Sequence, residues 1–242
     1  MWGFLKTDKL RKLYARHTGR DDMPDAVRKQ LEVEEAYRSE TLISNAVFVI
    51  FDTETTGLHL EGGDRLLSLA AVKMTGGRIY LGDAFNELID PKRPIPTSSI
   101  FIHGITPDVA SARPHVSGVL LKFLAYIGCD VLVAHHAPFD MKFLNHAMLG
   151  CFGFSIQNRL IDTALAAAWI WRMEKAELVD LHAPGDTRFD AVAAYFGITV
   201  LDRHTAFGDA LSTALLFQRF INILNRNGIK TLRQLVRIAG VS

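Results

Sequence analysis

Residues 47–57 read Val-Phe-Val-Ile-Phe-Asp-Thr-Glu-Thr-Thr-Gly, and this stretch decides the fold of the chain. Its first five residues are apolar and mostly β-branched or aromatic, which predicts a buried strand. Asp52 and Glu54 follow with a spacing of two, so a strand places both carboxylates on the same face. The sequence Thr55-Thr56-Gly57 then predicts a turn.

The two carboxylates have no Lys or Arg near them in the sequence. Acids held together at the end of a buried strand repel each other unless a cation lies between them. Sites made of carboxylate oxygens suit Mg²⁺ or Mn²⁺, which makes Asp52 and Glu54 predicted metal ligands. The alternative is that both acids are solvated or paired with basic residues distant in the sequence.

The composition indicates one α/β domain with an appendage. The chain has 242 residues, of which 49% are hydrophobic and 22% charged, enough for a sizeable core. The formal net charge of +1 gives no overall basic signature for nucleic acid. Cys129 and Cys151 lie in apolar sequence, which favours free thiols in a reducing compartment. No signal peptide or membrane span of about 18 apolar residues is apparent, so we predict a cytoplasmic protein.

The order of the elements predicts a mixed sheet. Apolar runs at 66–74 and 84–89, with a Gly-Gly turn between them, extend the first strand into a three-stranded meander. Strands at 130–134 and 159–163 then alternate with helices. The predicted fold class is therefore α/β, a mixed sheet with helices on both faces.

Three segments of the chain differ in composition. Residues 1–45 have a basic first half, with six Lys or Arg against one Asp in the first twenty, and an acidic second half. Their apolar spacing predicts a helical N-terminal extension that packs against the main domain or a partner. Residues 46–225 carry the strands and form that main domain. Residues 226–242 contain a basic C-terminal helix.

Two further carboxylates occupy junctions similar to the end of the first strand. Asp140 follows the strand at 130–134, at or just before a helix start, and Asp209 begins a long helix. His204 lies five residues before Asp209, on the loop that leads into the same helix. The loop and the first turn of a helix can bring such a pair to one site.

Four carboxylates and one histidine are the side chains that two-metal phosphodiester hydrolysis needs. Two divalent ions about 3.5–4 Å apart stabilise the attacking and leaving oxygens. A histidine can take a proton from water as general base at near-neutral pH. The predicted metal ligands are Asp52, Glu54, Asp140 and Asp209, and the predicted base is His204.

Four segments together resemble the motifs of the DEDD exonuclease superfamily. They are residues 52–57, 102–106, 135–140 and 204–210. The His-x(4)-Asp spacing of the last is similar to the DEDDh branch, which has a catalytic histidine and includes the epsilon proofreading subunit of bacterial DNA polymerase III, RNase T and oligoribonuclease. The resemblance covers residues 46–224, and the His-Gly-Ile-Thr sequence makes it closer to the epsilon, or DnaQ-like, group than to oligoribonuclease.

The resemblance implies an RNase H-like fold with a five-stranded mixed sheet, and it implies a role for each acid. Asp52, Glu54 and Asp209 would hold the first metal ion. Asp52 would also touch the second ion, which Asp140 would position partly through water. His204 would be the general base.

The resemblance also implies contacts to the substrate. The backbone around Thr53 and Thr55 would face the 3′-terminal sugar. Leu58 would wedge between the last two bases, and His103 would help to hold the terminal nucleotide.

In two places the chain departs from the family pattern. His136 stands where the family commonly has Asn. Residues 96–102 offer only Thr97, Ser98 and Ser99 where a Glu often lies upstream of the His-Gly motif. The first departure changes the local grip on the substrate, and the second removes or replaces one contact to the terminal sugar.

The sequence therefore predicts a 3′→5′ exonuclease that uses two Mg²⁺ or Mn²⁺ ions. It would release nucleoside 5′-monophosphates from single-stranded DNA ends, in proofreading or repair, with a DNA polymerase subunit as a partner and no membrane. One alternative is an RNA-processing exoribonuclease on the same scaffold, which the catalytic motifs do not distinguish. The other is a non-catalytic, polymerase-associated binding module, although a retired site has no physical reason to keep clustered acids.

Overall fold

The computed structural model describes the backbone of residues 2–176 and 186–241 and the side chains of residues 7–173 and 186–241. Within these residues, six strands form one sheet in the spatial order β3-β2-β1-β4-β5-β6. The strands are β1 (Val47–Thr55), β2 (Leu66–Thr75), β3 (Arg78–Leu88), β4 (Val131–Ala134), β5 (Leu160–Asp162) and β6 (Gly240–Val241). The first three form an antiparallel meander, β4 and β5 run parallel to β1, and β6 runs antiparallel to β5.

The mixed α/β sheet is as predicted, but the predicted count of five strands is one too low. The sixth strand consists of only Gly240 and Val241, which pair with β5. Two residues are too few to show the alternation that marks a strand. The third strand is also longer than the predicted run at 84–89, because β3 stays paired with β2 across a bulge between Ala71 and Lys73.

Eleven α-helices flank the sheet in the part of the chain that the structure describes. They are α1 (Trp2–Thr18), α2 (Asp25–Arg28), α3 (Val33–Ala36), α4 (Thr97–His103), α5 (Pro107–Ser111), α6 (Val116–Ile127), α7 (Ala137–Phe152), α8 (Thr163–Ala176), α9 (Phe189–Tyr195), α10 (Ala206–Arg226) and α11 (Leu232–Ala239). Over the described residues, none of these helices combines the length and the apolar character that a membrane crossing requires.

The side chains of β1 divide the core into two layers because they alternate between the faces of the sheet. Val49 and Phe51 belong to a buried cluster with residues of α6 and α7. Phe48 and Ile50 belong to a second buried cluster with residues of α8, α10 and α11. The ring of Phe48 packs edge-on against that of Phe217 on α10, with 5.0 Å between centroids.

Both ends of the chain pack onto these layers. Leu10 and Tyr14 of α1 and Val27 of α2 are buried in the cluster that includes α6 and α7. Leu232 and Leu235 of α11 are buried in the opposite cluster. The N-terminal extension is thus helical and packs against the sheet domain, as expected. The three-part division of the chain stays a prediction.

Candidate active site

Three carboxylates meet where the end of β1 approaches the first turn of α10. Asp52 and Glu54 continue the series of β1 side chains that faces α10. Asp209 is the fourth residue of that helix, so the predicted helix start at Asp209 is three residues too late. One carboxylate oxygen from each of the three lies within 4.8 Å of the others. The structure thus brings these three predicted residues together.

Asp140 reaches the same site from the opposite layer. It is the fourth residue of α7, so its predicted place at or before the helix start is wrong by about one turn. The helix begins earlier because Pro138 is tolerated in its first turn. Oδ1 of Asp140 accepts two hydrogen bonds from Thr53, one from the backbone N–H at 3.0 Å and one from the hydroxyl at 2.6 Å. Because Thr53 lies between the two β1 carboxylates, these bonds tie Asp140 to the cluster.

A cavity of about 770 Å³ lies at the carboxyl ends of β1 and β4. All nine residues predicted from the sequence line it: Asp52, Thr53, Glu54, Thr55, Leu58, His103, Asp140, His204 and Asp209. A volume of this size is in the range of cavities that enclose a small ligand such as a nucleotide. The cavity also has a basic side, to which Arg188 and Arg203 contribute.

Burial makes the clustered acids difficult to ionise. Burial raises the pKa of Asp52 well above its ordinary value, and the charges of Asp140 and Asp209 raise it further. Burial, followed by the charge of Asp209, raises the pKa of Glu54 to about 8. Burial also raises the pKa of Asp140 to about 7, although the hydrogen bonds from Thr53 oppose this shift. Without a bound cation, the cluster therefore retains protons near neutral pH.

Arg203 is a cation beside the cluster that the sequence reasoning missed. Its Nη1 lies 2.5 Å from Oδ2 of Asp209, and its Nε lies 3.0 Å from Oδ1 of Asp190. Its guanidinium carbon lies 5.1 Å from the ring centroid of Phe189. Burial raises the pKa of Asp209, and Arg203 opposes that shift. The one feature of the sequence that could have identified Arg203 is its position directly before His204, as a basic residue among predicted acidic site residues.

The loop before α10 is packed tightly against the first turn of the helix. A Cβ on Gly208 would lie 2.3 Å from the carbonyl oxygen of Asp202, so only glycine fits there. Thr205 caps the helix, because its hydroxyl accepts a hydrogen bond from the Gly208 N–H at 3.1 Å. The loop places His204 at the cavity wall as an exposed residue, and its backbone N–H donates to Oδ2 of Asp209 at 3.2 Å.

His103 brings an unused hydrogen-bond donor to the cavity wall. It ends α4 and is buried, and burial lowers the pKa of its imidazole. Nδ1 accepts a hydrogen bond from the Ile105 N–H at 3.0 Å, so the neutral ring carries its proton on Nε2. The buried Nε2 has no hydrogen-bond partner among the described residues. It is therefore available to a bound molecule.

The other predicted substrate contacts also line the cavity. Leu58 is 71% exposed at its rim. The Thr55 hydroxyl donates to the carbonyl of Gly57 at 2.7 Å, and that of Thr53 donates to Asp140. Both hydroxyls are thus already bonded within the protein. The role of these residues in substrate binding stays a prediction.

Both departures from the family pattern have local partners. His136 precedes α7 with a φ of 53°, and its backbone N–H donates to Oδ1 of Asp162 at 3.0 Å. Ser99 donates its hydroxyl to the carbonyl of Thr56 at 2.8 Å and lines the cavity together with Ser98. This part of the wall therefore presents hydroxyl groups where the family often has a carboxylate.

The donor set fits hard divalent cations. The three clustered groups supply only carboxylate oxygens, the ligands that Mg²⁺ and Mn²⁺ prefer. Oδ1 of Asp209 is buried and has no hydrogen-bond partner in the described part of the chain, which is rare for a carboxylate oxygen unless an ion binds there. Asp52, Glu54 and Asp209 would therefore hold a divalent ion, with Asp140 next to them.

We expect the metal-free protein to lose stability as the pH rises from about 5 to about 8. In the unfolded chain Glu54 ionises with a pKa near 4.5, whereas in the folded cluster its pKa is about 8. Between these values the folded state binds more protons than the unfolded state, so the free energy of unfolding falls as the pH rises. Thermal unfolding in EDTA across this pH range measures the effect.

Glu54→Gln should flatten this decline, whereas Glu61→Gln, at an exposed carboxylate outside the cavity, should leave it unchanged. A melting temperature of the metal-free protein that rises over the same pH range would contradict the expectation.

Comparison with known proteins agrees with this geometry. The RNase T family model, described as Exonuclease, matches residues 49–217. A DNA polymerase III subunit epsilon-like protein of Rhodobacter capsulatus is 37% identical over 199 residues, which cover 81% of this chain and 27% of that protein. A PolC-type DNA polymerase III of Thermotoga maritima is 30% identical over 199 residues, which cover 82% of this chain and 14% of that protein. The chain thus spans about a quarter or less of these relatives.

Solved structures with a similar fold are also nucleases. Exonuclease X in complex with 5′ overhanging duplex DNA has a TM-score of 0.59 and 27% identity, over 79% of this chain and 98% of that chain. The nuclease domain of 3′hExo, a DEDDh family member bound to rAMP, has a TM-score of 0.61 and 15% identity, over 77% of this chain and 95% of that chain. The second likeness shows the fold alone.

The mixed sheet has the same fold as these neighbours, and its carboxylates cluster where β1 ends. The protein is therefore a nuclease with an RNase H-like fold. The chain belongs to the exonuclease family, because the family model matches more than half of its length. The predicted fold class, the resemblance to DEDD exonucleases and the expectation of an exonuclease enzyme are therefore confirmed. The family depends on divalent metal ions, and the acidic cluster is present.

Proposed function

We propose that the protein is a metal-dependent 3′→5′ exonuclease that releases nucleoside 5′-monophosphates from single-stranded DNA ends. The observation that carries the proposal is the cluster of Asp52, Glu54 and Asp209, whose oxygens lie within 4.8 Å of one another. Asp140 and His204 line the same cavity. Two Mg²⁺ or Mn²⁺ ions held there would stabilise charge on the attacking and leaving oxygens.

The other cavity residues would hold the substrate and move a proton. The exposed His204 would take a proton from the attacking water as general base. The Nε2–H of His103 would donate a hydrogen bond to the terminal nucleotide. Leu58 at the rim would pack between the last two bases, and the backbone around Thr53 and Thr55 would face the terminal sugar.

Similarity to Exonuclease X supports DNA as the substrate, because that structure holds DNA and the two chains are 27% identical. The relatives from R. capsulatus and T. maritima carry names of DNA polymerase III components. Their names support a proofreading or repair role beside a polymerase subunit. The thiols of Cys129 and Cys151 are free, which fits the reducing cytoplasm.

The test is digestion of four 5′-labelled substrates: single-stranded DNA, RNA of the same sequence, a DNA duplex with a 3′ mismatch and a fully matched DNA duplex. With Mg²⁺ or Mn²⁺ we expect a ladder of DNA products shortened from the 3′ end. The mismatched duplex should be shortened faster than a matched duplex, and EDTA should abolish the reaction. Chromatography against nucleoside 5′-monophosphate standards identifies the released product.

Other outcomes discriminate between the alternatives. A ladder mainly on RNA would favour the RNA-processing exoribonuclease. Immediate release of the 5′ label as a mononucleotide would contradict the proposed direction. If no substrate is cut and calorimetry detects no Mn²⁺ binding, the non-catalytic, polymerase-associated binding module becomes the better reading.

A further inference from the structure

A groove of about 360 Å³ opens beside the catalytic cavity and extends along α7. Asp64 lines both the cavity and the groove, so the two lie on either side of this residue. The groove also reaches Gly150 on α7, whose carbonyl accepts a hydrogen bond from Nε2 of His17 on α1 at 2.8 Å. At 1.5 Å per helical residue, α7 covers about 15 Å between Asp140 and Gly150. The groove therefore runs along α7 from beside the carboxylate cluster to Gly150, which α1 contacts, over about that distance.

One side of α1 carries a net positive charge. Lys9, Lys12 and Arg16 follow helical spacing and line one surface depression together with Asp8 and Leu13. The Leu13 carbonyl approaches Gly153, the residue after α7, so closely that a Cβ on this glycine would lie 2.9 Å from it. Leu13, which follows Lys12 in the chain, therefore packs against the end of α7. All three cations are exposed, and none takes part in an ion pair among the side chains that the structure describes.

The acids along the groove already have cationic partners. Oδ1 of Asp64 lies 3.2 Å from Nη1 of Arg93, and Oδ2 of Asp90 lies 2.7 Å from Nζ of Lys92. Arg65 lines the groove and donates to the backbone carbonyl of Asp64 at 2.9 Å. Within the described ranges it has no carboxylate partner. The acids of the groove are therefore neutralised by their ion pairs. The positive charges of Arg65 and of α1 remain to attract a polyanion.

We propose that this groove and the side of α1 formed by Lys9, Lys12 and Arg16 bind the phosphate backbone of the DNA strand upstream of its 3′ end. The inference rests on the proposed exonuclease function, because a strand whose 3′ end lies at the carboxylates must leave the cavity along a neighbouring path. Free cations at the end of that path match a chain of phosphates. For a strand stacked as in duplex DNA, at about 3.4 Å per nucleotide, phosphates from about the fifth nucleotide onward reach α1.

The test compares two triple variants that remove the same charge. One is Lys9→Gln/Lys12→Gln/Arg16→Gln, and its matched control is Arg226→Gln/Lys230→Gln/Arg237→Gln. The control residues are exposed: Arg226 ends α10, Lys230 precedes α11 and Arg237 lies on α11. Both helices pack into the opposite layer. Fluorescence anisotropy in EDTA over a salt series measures binding of single-stranded DNA of about 15 and about three nucleotides, chosen to exceed and to fall short of the path to α1. Digestion with Mg²⁺ measures kcat/KM for both lengths.

For the long strand, the α1 variant should make the negative slope of log affinity against log salt shallower by about 2, since each phosphate contact to a single strand contributes about −0.7. Its kcat/KM should fall about tenfold or more on the long strand and stay unchanged on the short one. The single variant Arg65→Gln, which leaves α1 intact, should make this slope shallower by about 0.7. The control should match the wild type on both lengths.

Two results would overturn the inference: an α1 variant that matches the wild type on the long strand, or an equal loss on both lengths. Failure of the wild type to degrade either strand would count against the proposed exonuclease function instead. In that case the salt slopes measured in EDTA would still test the groove, because binding requires no cleavage.

Discussion

Asp52→Asn should lower kcat by at least about a thousandfold, equivalent to about 4 kcal/mol of transition-state stabilisation. A carboxylate oxygen of Asp52 lies within 4.8 Å of oxygens from Glu54 and Asp209. Asparagine keeps nearly the same volume but supplies a neutral ligand, so the divalent ion binds more weakly. The rate of DNA digestion with Mg²⁺ and the Mn²⁺ affinity by calorimetry measure the two effects separately.

Asp130→Asn provides the matched control for this substitution. Asp130 pairs with Nζ of Lys73 at 3.2 Å and lies outside the cavity. The same change of charge at Asp130 should leave kcat within about twofold of the wild type, a difference of less than about 0.5 kcal/mol in the barrier. If Asp52→Asn keeps both its rate and its Mn²⁺ affinity, the carboxylate cluster is not the catalytic centre.

The position of the β1 carboxylates was predictable because side chains alternate along any strand. Phe48 and Ile50 mark one face of β1 as buried, and Asp52 and Glu54 continue that face. For Asp209, the sequence pattern alone located a helix start but not the layer against which the helix packs. The resemblance to a known family supplied that information, and the packing of α10 against β1 agrees with it.

The spacing of residues along the chain does not predict contacts between elements that are distant in the sequence. Arg203 reaches both Asp209 and Asp190 because the loop before α10 and the start of α9 converge on the cavity. Similarly, alternation predicts that Thr53 faces away from its two acidic neighbours. It does not predict that Asp140, 87 residues further along the chain, accepts both of its hydrogen bonds. Such partners are fixed only when the layers pack.

The contact of Arg203 with Asp209 orients the carboxylate without using all of it. The guanidinium and the His204 N–H both bind Oδ2 of Asp209. Oδ1 is left buried and without a partner among the described residues. Oδ2 thus contacts Arg203, and Oδ1 is left for a cation. The carboxylate can therefore keep its contact with Arg203 while Oδ1 binds a cation. Arg203 would thus hold Asp209 in place whether or not the ion is present.

His204→Asn should lower kcat by about a hundredfold to ten-thousandfold, the usual contribution of a general base, and should leave the Mn²⁺ affinity unchanged. The backbone of His204 has a φ of 64°, and asparagine tolerates this conformation better than most residues. The substitution therefore removes the imidazole without straining the loop before α10. The carboxylate oxygens of Asp52, Glu54 and Asp209 are untouched. Turnover at saturating DNA and calorimetry with Mn²⁺ measure the two quantities.

His59→Asn is the control, because His59 is also an exposed residue of the cavity wall. It bonds to Asp64 through its backbone N–H at 3.0 Å, and that bond survives the substitution. The variant should keep kcat within about twofold of the wild type. Equal losses in the two variants would mean that cavity imidazoles act through general electrostatics. Wild-type turnover in His204→Asn would assign the base to another group, whereas weaker Mn²⁺ binding in that variant would make His204 a metal ligand.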